Sequence, residues 1–179
     1  MELFDSIDDH TKIFSSTKDE YDQVIETHYD SIFHNNHRLE IKTGDRFSEA
    51  NSNQNRYRLR LLILQHEHLA GFHLGYEETP GVYYMQTTAV LPQFRLQGIY
   101  KQTLQRLIQN LWNLGFHKIN SRHYMTQNNI IVPKLKAGFF IQGFESDPRF
   151  GHLIKLSLYR FSETENQARM RSGEIKPLV

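Results

Sequence analysis

Residues 89–100 read AVLPQFRLQGIY and are the chain's clearest candidate for binding a ligand. The β-branched and aromatic residues before Pro92 predict a strand, and the apolar spacing after Gly98 predicts a helix. The free backbone N–H groups of a helix's first turn form an anion site, and Gly98 lets a phosphate approach the backbone closely. The segment therefore predicts a phosphate-binding turn, with an ordinary strand-to-helix connection as the alternative.

Two other groups of side chains have suggestive spacing. The histidine pairs His34–His37 and His66–His68 have no third ligand at a familiar zinc spacing, so we expect no metal site. Three arginines alternate with other residues over 56–60 and could face nucleic acid. Because no nucleic-acid-binding motif accompanies them, a solvated strand face is favoured.

Length and composition restrict the class of protein. The chain has 179 residues, a formal charge of +1 and no cysteine. We place one domain at residues 1–161 and a polar tail at 162–179, with a helical pattern over Glu163–Arg171. The lack of cysteine excludes disulfides, thiolate catalysis and cysteine-based metal sites on this chain. No apolar run approaches the roughly 18 residues of a membrane span, and the N-terminal sequence lacks secretory features, so we expect a cytoplasmic protein.

Charge is unevenly distributed. Residues 1–30 hold nine acidic and two basic residues, a balance of −7, and residues 31–179 hold eleven acidic and nineteen basic residues, a balance of +8. Much of the negative charge falls at the start and along the outer face of a predicted amphipathic helix, whose dipole favours acidic residues in its first turn. The basic remainder could face a phosphorylated cofactor or nucleic acid.

The predicted elements alternate in a way that indicates a mixed α/β fold. Thr17 and Glu20 predict a capping box at the start of the first helix. The polar residues 35–56 predict a long loop or short irregular helix, of the kind that often forms lids or binding loops, with a disordered insertion as the alternative. The predicted strands are Lys12–Phe14, Tyr57–Leu64, Leu69–Tyr76, Val82–Leu91, Lys118–Tyr124, Phe139–Glu145 and His152–Phe161, and further helices run from Ile99 towards Gly115 and over Asn129–Ala137.

The turn resembles the pyrophosphate loop of the Gcn5-related N-acetyltransferases, the GNAT superfamily. In that family a strand ending in Val-x-Pro leads into the pattern Arg/Gln-x-x-Gly-x-Gly/Ala. This chain matches the pattern at Val90, Pro92, Arg95 and Gly98. It departs from the pattern at Leu96, where glycine is frequent, and at Tyr100, which stands at the final Gly/Ala position.

A second similarity lies downstream. The family often shows an asparagine, a short helix and then Lys-x-Gly-Phe, and this chain has Lys136, Gly138 and Phe139 in that arrangement. Gln127 stands at the family's asparagine position, next to Asn128. With the order of elements, the resemblance covers roughly residues 11–160. It implies a mixed, mostly antiparallel sheet of about seven strands flanked by helices, with the fourth and fifth strands splayed.

The resemblance implies that acetyl-CoA is the cosubstrate. Its pantetheine would pair with the edge of the fourth strand, and a main-chain N–H near Val90 would polarise the thioester carbonyl. The pyrophosphate would lie on the N–H groups at the start of the following helix. The residues implied in CoA binding are Thr88, Ala89, Val90, Leu91, Arg95, Leu96, Gln97, Gly98, Ile99, Tyr100, Lys101 and Asn128.

In this family an amine attacks the thioester directly, so the amine loses a proton and the leaving thiolate gains one. Tyr84 stands where some relatives carry a glutamate base, and Tyr84, His73 or water could carry the first proton. The acid is open between Tyr124, at the end of the fifth strand, and Lys134, where many relatives have a tyrosine. Packing or solvated roles are the alternatives for these residues.

The leading interpretation is an N-acetyltransferase that acts on a primary amine of a small molecule, peptide or protein. A catalytically silent acyl-CoA-binding module is the first alternative, favoured by Tyr84 in place of a carboxylate and by the bulky Tyr100. A basic nucleic-acid-binding or scaffold protein is the second. Basic residues such as Lys101 and Arg106 would suit the phosphates of CoA and favour the first interpretation. We expect no membrane partner, and a homodimer is left open.

Overall fold

The computed structural model describes residues 1–33, 56–148, 150–161, 166, 167, 169–171 and 173, and the side chains of this set except those of 29–33. The strands are β1 (Glu2–Ser6), β2 (Thr11–Ser15), β3 (Arg58–Gln65), β4 (His68–Thr79), β5 (Val82–Val90), β6 (Lys118–Tyr124), β7 (Phe140–Asp147) and β8 (Gly151–Tyr159). The helices are α1 (Lys18–Phe33), α2 (Ile99–Asn113) and α3 (Asn128–Lys136), and Pro92–Phe94 forms a short 3₁₀ turn. The strands form one mixed sheet, flanked by helices, in the order β1-β2-β3-β4-β5-β6-β8-β7.

The mixed fold expected from the sequence is confirmed. So is the capping box, since the Thr17 N–H donates to Glu20 Oε2 (2.9 Å) and the Glu20 N–H donates to Thr17 Oγ1 (3.3 Å). The sheet has one strand more than expected because β1 pairs antiparallel with β2. The predicted fourth and fifth strands are therefore β5 and β6. Most of the predicted loop at 35–56, with the His34–His37 pair, lies outside the described residues.

One compact unit comprises Met1–Tyr76 and Thr87–Ile99. Its strands β2, β3 and β4 pair antiparallel, and α1 contributes Tyr21 to a core with Leu62 and Phe72. The Tyr21 and Phe72 rings meet edge to face, with centroids 5.9 Å apart. Each such buried side chain contributes about 1.5–3 kcal/mol to stability. The Leu91 N–H donates to the Ala70 carbonyl (2.8 Å), which fixes the end of β5 in this unit.

The second compact unit comprises Glu77–Gln86 and Tyr100–Val179. The start of β5 pairs parallel with β6, which pairs antiparallel with β8, and β7 forms a hairpin with β8. The rings of Tyr83 and Phe116 meet at 5.4 Å. Helix α2 ends as the sequence predicts: Gly115 has a φ of 94°, and the Phe116 N–H donates to the Leu111 carbonyl (3.1 Å).

None of the described helices is both long enough and apolar enough to cross a membrane. In the tail, the described residues 166, 167 and 169–171 are helical and fall within the predicted helical pattern.

Candidate active site

The segment from Pro92 to Ile99, the first residue of α2, is here named the phosphate turn. After the 3₁₀ residues the backbone reaches a φ of 64° at Leu96 and 80° at Gly98, and α2 begins at Ile99. The side chain of Leu96 is fully exposed, so no packing offsets a conformation that costs a non-glycine residue roughly 1–2 kcal/mol. Such turns direct successive N–H groups to one side and form anion-binding concavities.

Side chains of the phosphate turn hold its own backbone in place. The Arg95 Nε donates to the carbonyl of Val90 (3.1 Å), and the Gln97 side-chain amide donates to the carbonyl of Gln93 (3.3 Å). Arg95 therefore connects the last residue of β5 to the turn that follows it.

The pairing of β5 with β6 covers only part of each strand. The parallel ladder runs from Val82–Lys118 to Met85–Ser121. Strand β5 continues to Val90, so its last five residues follow the final pair of this ladder. These residues include Thr88–Val90, the edge that the family resemblance assigns to the cosubstrate.

Lys134 is buried in the second unit although it is charged in water. Only 1% of its surface is exposed, its Nζ donates to the Sδ of Met85 (3.6 Å), and it lies 5.0 Å from the centre of the Phe139 ring. Burial lowers the pKa of Lys134 from 10.5 to about 7. Helix α3 buries Ile131 and Lys134, which are three residues apart and share one helix face. The amine can therefore lose or gain a proton near neutral pH.

A histidine that sequence analysis missed lies near this amine. His123 is half-buried, and its Nε2 is 3.2 Å from Ser121 Oγ. Burial, and then the nearby charge of Lys134, lower the pKa of His123 to about 3, so the imidazole is neutral at neutral pH. The only available sequence signal was the polar pair Ser121 and His123 on a strand face that also carries Ile119. We name Met85, Ser121, His123, Lys134 and Phe139 the Lys134 cluster.

A charged network surrounds Tyr84. The guanidinium carbon of Arg122 lies 5.2 Å from the centre of the Tyr84 ring. Arg122 also reaches Glu78 Oε1 (3.5 Å) and Glu145 Oε2 (3.2 Å), and Lys155 Nζ lies 2.8 Å from the same Glu145 oxygen. The hydrogen bond from Lys155, followed by the charge of Arg122, holds the pKa of Glu145 below its usual value. Arg122 is therefore held beside the Tyr84 ring by two carboxylates.

Strand alternation separates the predicted catalytic residues. Neighbouring residues of a strand project to opposite faces, so Tyr124 lies on the face of β6 opposite to His123 and the Lys134 cluster. Tyr84 likewise projects opposite to its neighbour Met85. The structure thus places Tyr84 and Tyr124 on one face of the second unit and Lys134 on the other.

Three further candidates lie within β4 and at the starts of two helices. His73 is fully buried in the first unit, and its Nδ1 is 2.8 Å from Thr88 Oγ1. That contact connects β4 to the part of β5 beyond the ladder. Asn128 is the first residue of α3 and follows Gln127. Lys101, in the first turn of α2, is exposed.

The described part of the chain shows no group of three or more His, Cys, Asp or Glu side chains arranged to hold a metal ion. Of the two histidine pairs considered above, His66 stacks on His10, with ring centroids 4.5 Å apart.

Comparison with known proteins finds the same family that the sequence resembles. The sequence matches the model of the acetyltransferase (GNAT) family over residues 16–139. None of the curated proteins matches the sequence.

Several solved structures share the fold. The ribosomal-protein-S18-alanine N-acetyltransferase of Escherichia coli is 14% identical, with 83% of this chain and 93% of that chain covered and a TM-score of 0.62. Naa50 of Arabidopsis thaliana, in complex with the bisubstrate analogue CoA-Ac-MVNAL, is 15% identical, with 84% and 99% covered and a TM-score of 0.59. An acetyltransferase of Bacillus subtilis in complex with CoA is 16% identical, with 85% and 99% covered and a TM-score of 0.58.

Proposed function

Because the chain belongs to the acetyltransferase (GNAT) family, we propose that it transfers an acetyl group directly from acetyl-CoA to a primary amine. The observation that carries this proposal is the phosphate turn. Its residues Arg95 and Gly98 match the family's loop, and its backbone has the left-handed conformations of an anion-binding turn. The N–H groups at the start of α2 would hold the pyrophosphate, and the exposed Lys101 would add positive charge.

The rest of the cosubstrate would lie along β5. Residues Thr88 to Leu91 follow the last pair of the β5–β6 ladder, which supports their role as the edge that pairs with pantetheine. A backbone N–H near Val90 would then polarise the thioester carbonyl. Since the chain has no cysteine, no acyl-cysteine intermediate forms on it, which agrees with direct transfer.

The leaving thiolate needs a proton, and we assign its transfer to Lys134. A thiol has an ordinary pKa near 8.5, so an ammonium with a pKa of about 7 protonates the thiolate favourably, whereas an ordinary lysine, near 10.4, does not. In the balanced step the amine nitrogen bonds to the carbonyl carbon, the C–S bond breaks, and the sulfur takes the proton of Lys134. Tyr124 projects to the other face of β6, and we prefer Lys134 as the acid because burial lowers the pKa of its amine to about 7.

The attacking amine must lose its proton, and we assign that path to the face that carries Tyr84. Arg122 lies over the Tyr84 ring, and the Tyr84 hydroxyl would pass the proton of the amine on towards water. Water on the same face would complete the path to solvent. On this assignment the amine arrives on one face of the second unit and the thiolate is protonated from the other.

The acceptor is a primary amine of a small molecule, peptide or protein. Two of the structural neighbours bear names that refer to a protein alanine and to a CoA–peptide analogue, which supports including peptide N-termini among the candidates. The test is release of CoA thiol from acetyl-CoA with a panel of peptide N-termini, lysine peptides and small amines, with mass spectrometry of the acceptor. Acceptor-dependent release with a gain of one acetyl group supports the proposal.

A catalytically silent acyl-CoA-binding module is the second candidate. Tyr84 in place of a carboxylate and Tyr100 in place of a small residue favour it. Tight CoA binding without thiol release by any amine of the panel would support this alternative. The cytoplasmic location, the single domain and the oligomeric state stay predictions from the sequence.

A further inference from the structure

Strand β7 is the last strand of the sheet in the second unit, and no described strand pairs with its outer side. The outer side of such a strand presents unpaired N–H and C=O groups that can pair with another chain. Proteins often protect such an edge with lysine or proline, and β7, with the sequence FIQGFESD, contains neither. Its bulge between Ile141 and Gly143 leaves a regular edge segment from Gly143 to Asp147. This segment is open to a further strand.

The register of the strands places two side chains of β7 on the sheet face that α3 covers. Ile141 pairs with Leu156 of β8, which pairs with Ser121 of β6, and paired residues point to the same face. Phe144 pairs with Ile154, two residues from Leu156 along β8, and so reaches the same face. Since Ser121 belongs to the Lys134 cluster, this is the face against which α3 packs.

The cover of this face ends before β7. On β8, Leu156 and Ile154 are buried, with exposed fractions of 0% and 8%. One strand further out, Ile141 is 50% exposed and Phe144 is 68% exposed. Single exposed apolar side chains are ordinary on a protein surface, whereas a contiguous group of them indicates an interaction site.

Helix α3 adds a third apolar side chain to this surface. Around the helix, Lys134 and Leu135 lie on opposite sides of the buried Ile131, about 60° and about 40° from it. Lys134 reaches Met85 of β5, so Leu135 lies towards the opposite end of the sheet, which is the end at β7. The Leu135 residue is 39% exposed. We name Leu135, Ile141 and Phe144 the β7 patch.

We propose that the outer edge of β7 and the β7 patch form a homodimer interface, in which two β7 strands pair antiparallel with Phe144 on the twofold axis. The interface is independent of the proposed activity. A twofold interface must be complementary to itself. In this register the two Phe144 rings meet on the face of α3, and Gly143 of one copy lies opposite Glu145 of the other.

The charges of β7 favour this register and a second copy as the occupant. With Phe144 on the axis no two carboxylates lie directly opposite each other, whereas an axis at Glu145 would oppose two of them. Glu145 also keeps its contacts with Arg122 and Lys155, on the other face of the sheet. The side of β7 that carries the β7 patch is therefore apolar and uncharged, as an interface with an identical surface requires.

The available area indicates how strong the dimer is. The three side chains of the β7 patch expose on the order of 300 Å² per chain, a size that is often functional on a monomer surface. Two such patches and the backbone of two paired strands come near the lower limit of a specific interface, about 1,200 Å² in total. We therefore expect a Kd of about 10 μM, so the dimer dissociates on dilution.

Sedimentation equilibrium of the full chain tests this interface, at concentrations from about 1 μM to about 300 μM on either side of the expected Kd. The unmodified chain should pass from monomer to dimer over this range. Phe144→Lys and Phe144→Glu should each raise the Kd more than about 100-fold, or about 2.7 kcal/mol, because each places two like charges on the axis. A mixture of the two variants should dimerise again, since opposite charges then meet there.

Leu3→Lys is the matched control, because Leu3 is 55% exposed on β1, the strand at the other end of the sheet. This variant should dimerise like the unmodified chain, and all three variants should keep its melting temperature, since only exposed side chains change. Hydrogen exchange should slow with concentration at amides of β7 and not of β1. The inference is overturned if the unmodified chain stays monomeric, if Phe144→Lys dimerises equally well, if the control loses the dimer, or if the mixture stays monomeric.

Discussion

The phosphate turn and the Lys134 cluster would both serve acetyl transfer, but they are built differently. The turn is exposed and relies on backbone conformation, with positive φ at Leu96 and Gly98. The cluster is buried and relies on side chains, with the Lys134 amine beside a thioether and an aromatic ring. Binding by backbone needs only a few permissive residues. Proton transfer by a buried amine depends on everything that excludes water around it.

The largest expected effect is on CoA affinity, which should depend on the phosphate turn and not on the Lys134 cluster. Gly98→Asp places a side chain at a φ of 80° and a negative charge where the pyrophosphate would lie. Because repulsion of like charges costs several kcal/mol, we expect CoA affinity to fall more than about 1000-fold by calorimetry. Gly115→Asp is the control, since it strains a similar backbone (φ 94°) at the other end of α2. Equal CoA binding by the folded Gly98 variant would refute the assignment.

The next largest effect is expected from substitution of Lys134, which should lower kcat. Lys134→Met keeps the volume and the apolar contacts but removes the proton, so we expect kcat to fall about 100-fold with CoA affinity unchanged. Lys134→Tyr should restore part of the activity and move the alkaline decline of kcat from near pH 7 to above about pH 9. Full turnover by the methionine variant would exclude Lys134 as the acid.

The free energy of unfolding should depend on pH because the pKa of Lys134 differs between the folded and unfolded chain. The pKa of Lys134 is about 7 when folded and 10.5 when unfolded, so the unfolded chain binds more protons between these values. The free energy of unfolding should therefore rise with pH, by about 2 kcal/mol from pH 7 to pH 9. Denaturant unfolding of Lys134→Met should lack this part of the rise. Parallel pH curves for both proteins would show that Lys134 keeps an ordinary pKa.

A smaller effect is expected from substitution of Tyr84, on the face of the second unit opposite to Lys134. Tyr84→Phe should lower kcat/KM for the amine about tenfold, with CoA affinity unchanged, since one step of the proton path is lost. Tyr76→Phe is the matched control, because an arginine, Arg58, also lies over that ring, at 5.8 Å. Equal steady-state kinetics for both variants would remove Tyr84 from the proton path.

The smallest effect returns to the phosphate turn. Leu96→Gly removes an exposed side chain from a left-handed residue, so the free energy of unfolding should rise by about 1 kcal/mol. CoA affinity should change by less than about threefold, since the N–H groups stay in place. A less stable variant in thermal and denaturant unfolding would show that Leu96 has a packing role.

These contrasts also explain what the sequence could predict. The capping box at Thr17 and the glycine after α2 were predictable because they depend on neighbours within a few residues. The position of the tight turn between β5 and α2 was predictable for the same reason, and its phosphate binding stays a prediction. Strand β1, with sequence ELFDS, was not, because its pairing with β2 is a tertiary contact that its own pattern does not encode.

The buried side chains were the least predictable part of the site. Lys134 was a candidate only through the family resemblance, and its burial beside Met85 depends on residues 49 positions apart. His123 carries no motif, and its low pKa arises from burial and from the charge of Lys134, which lies on α3, outside the sequence pattern of β6. The Tyr100 Oη has no hydrogen-bond partner among the described residues, and its burial is likewise a consequence of packing, although the sequence had marked that position as a departure.

Acceptor-dependent release of CoA thiol from acetyl-CoA tests the central claim most directly. The account predicts release with at least one primary amine of the peptide, lysine and small-amine panel, matched by an acetyl group on that amine and absent with Gly98→Asp. Tight CoA binding with no release by any amine of the panel would contradict it.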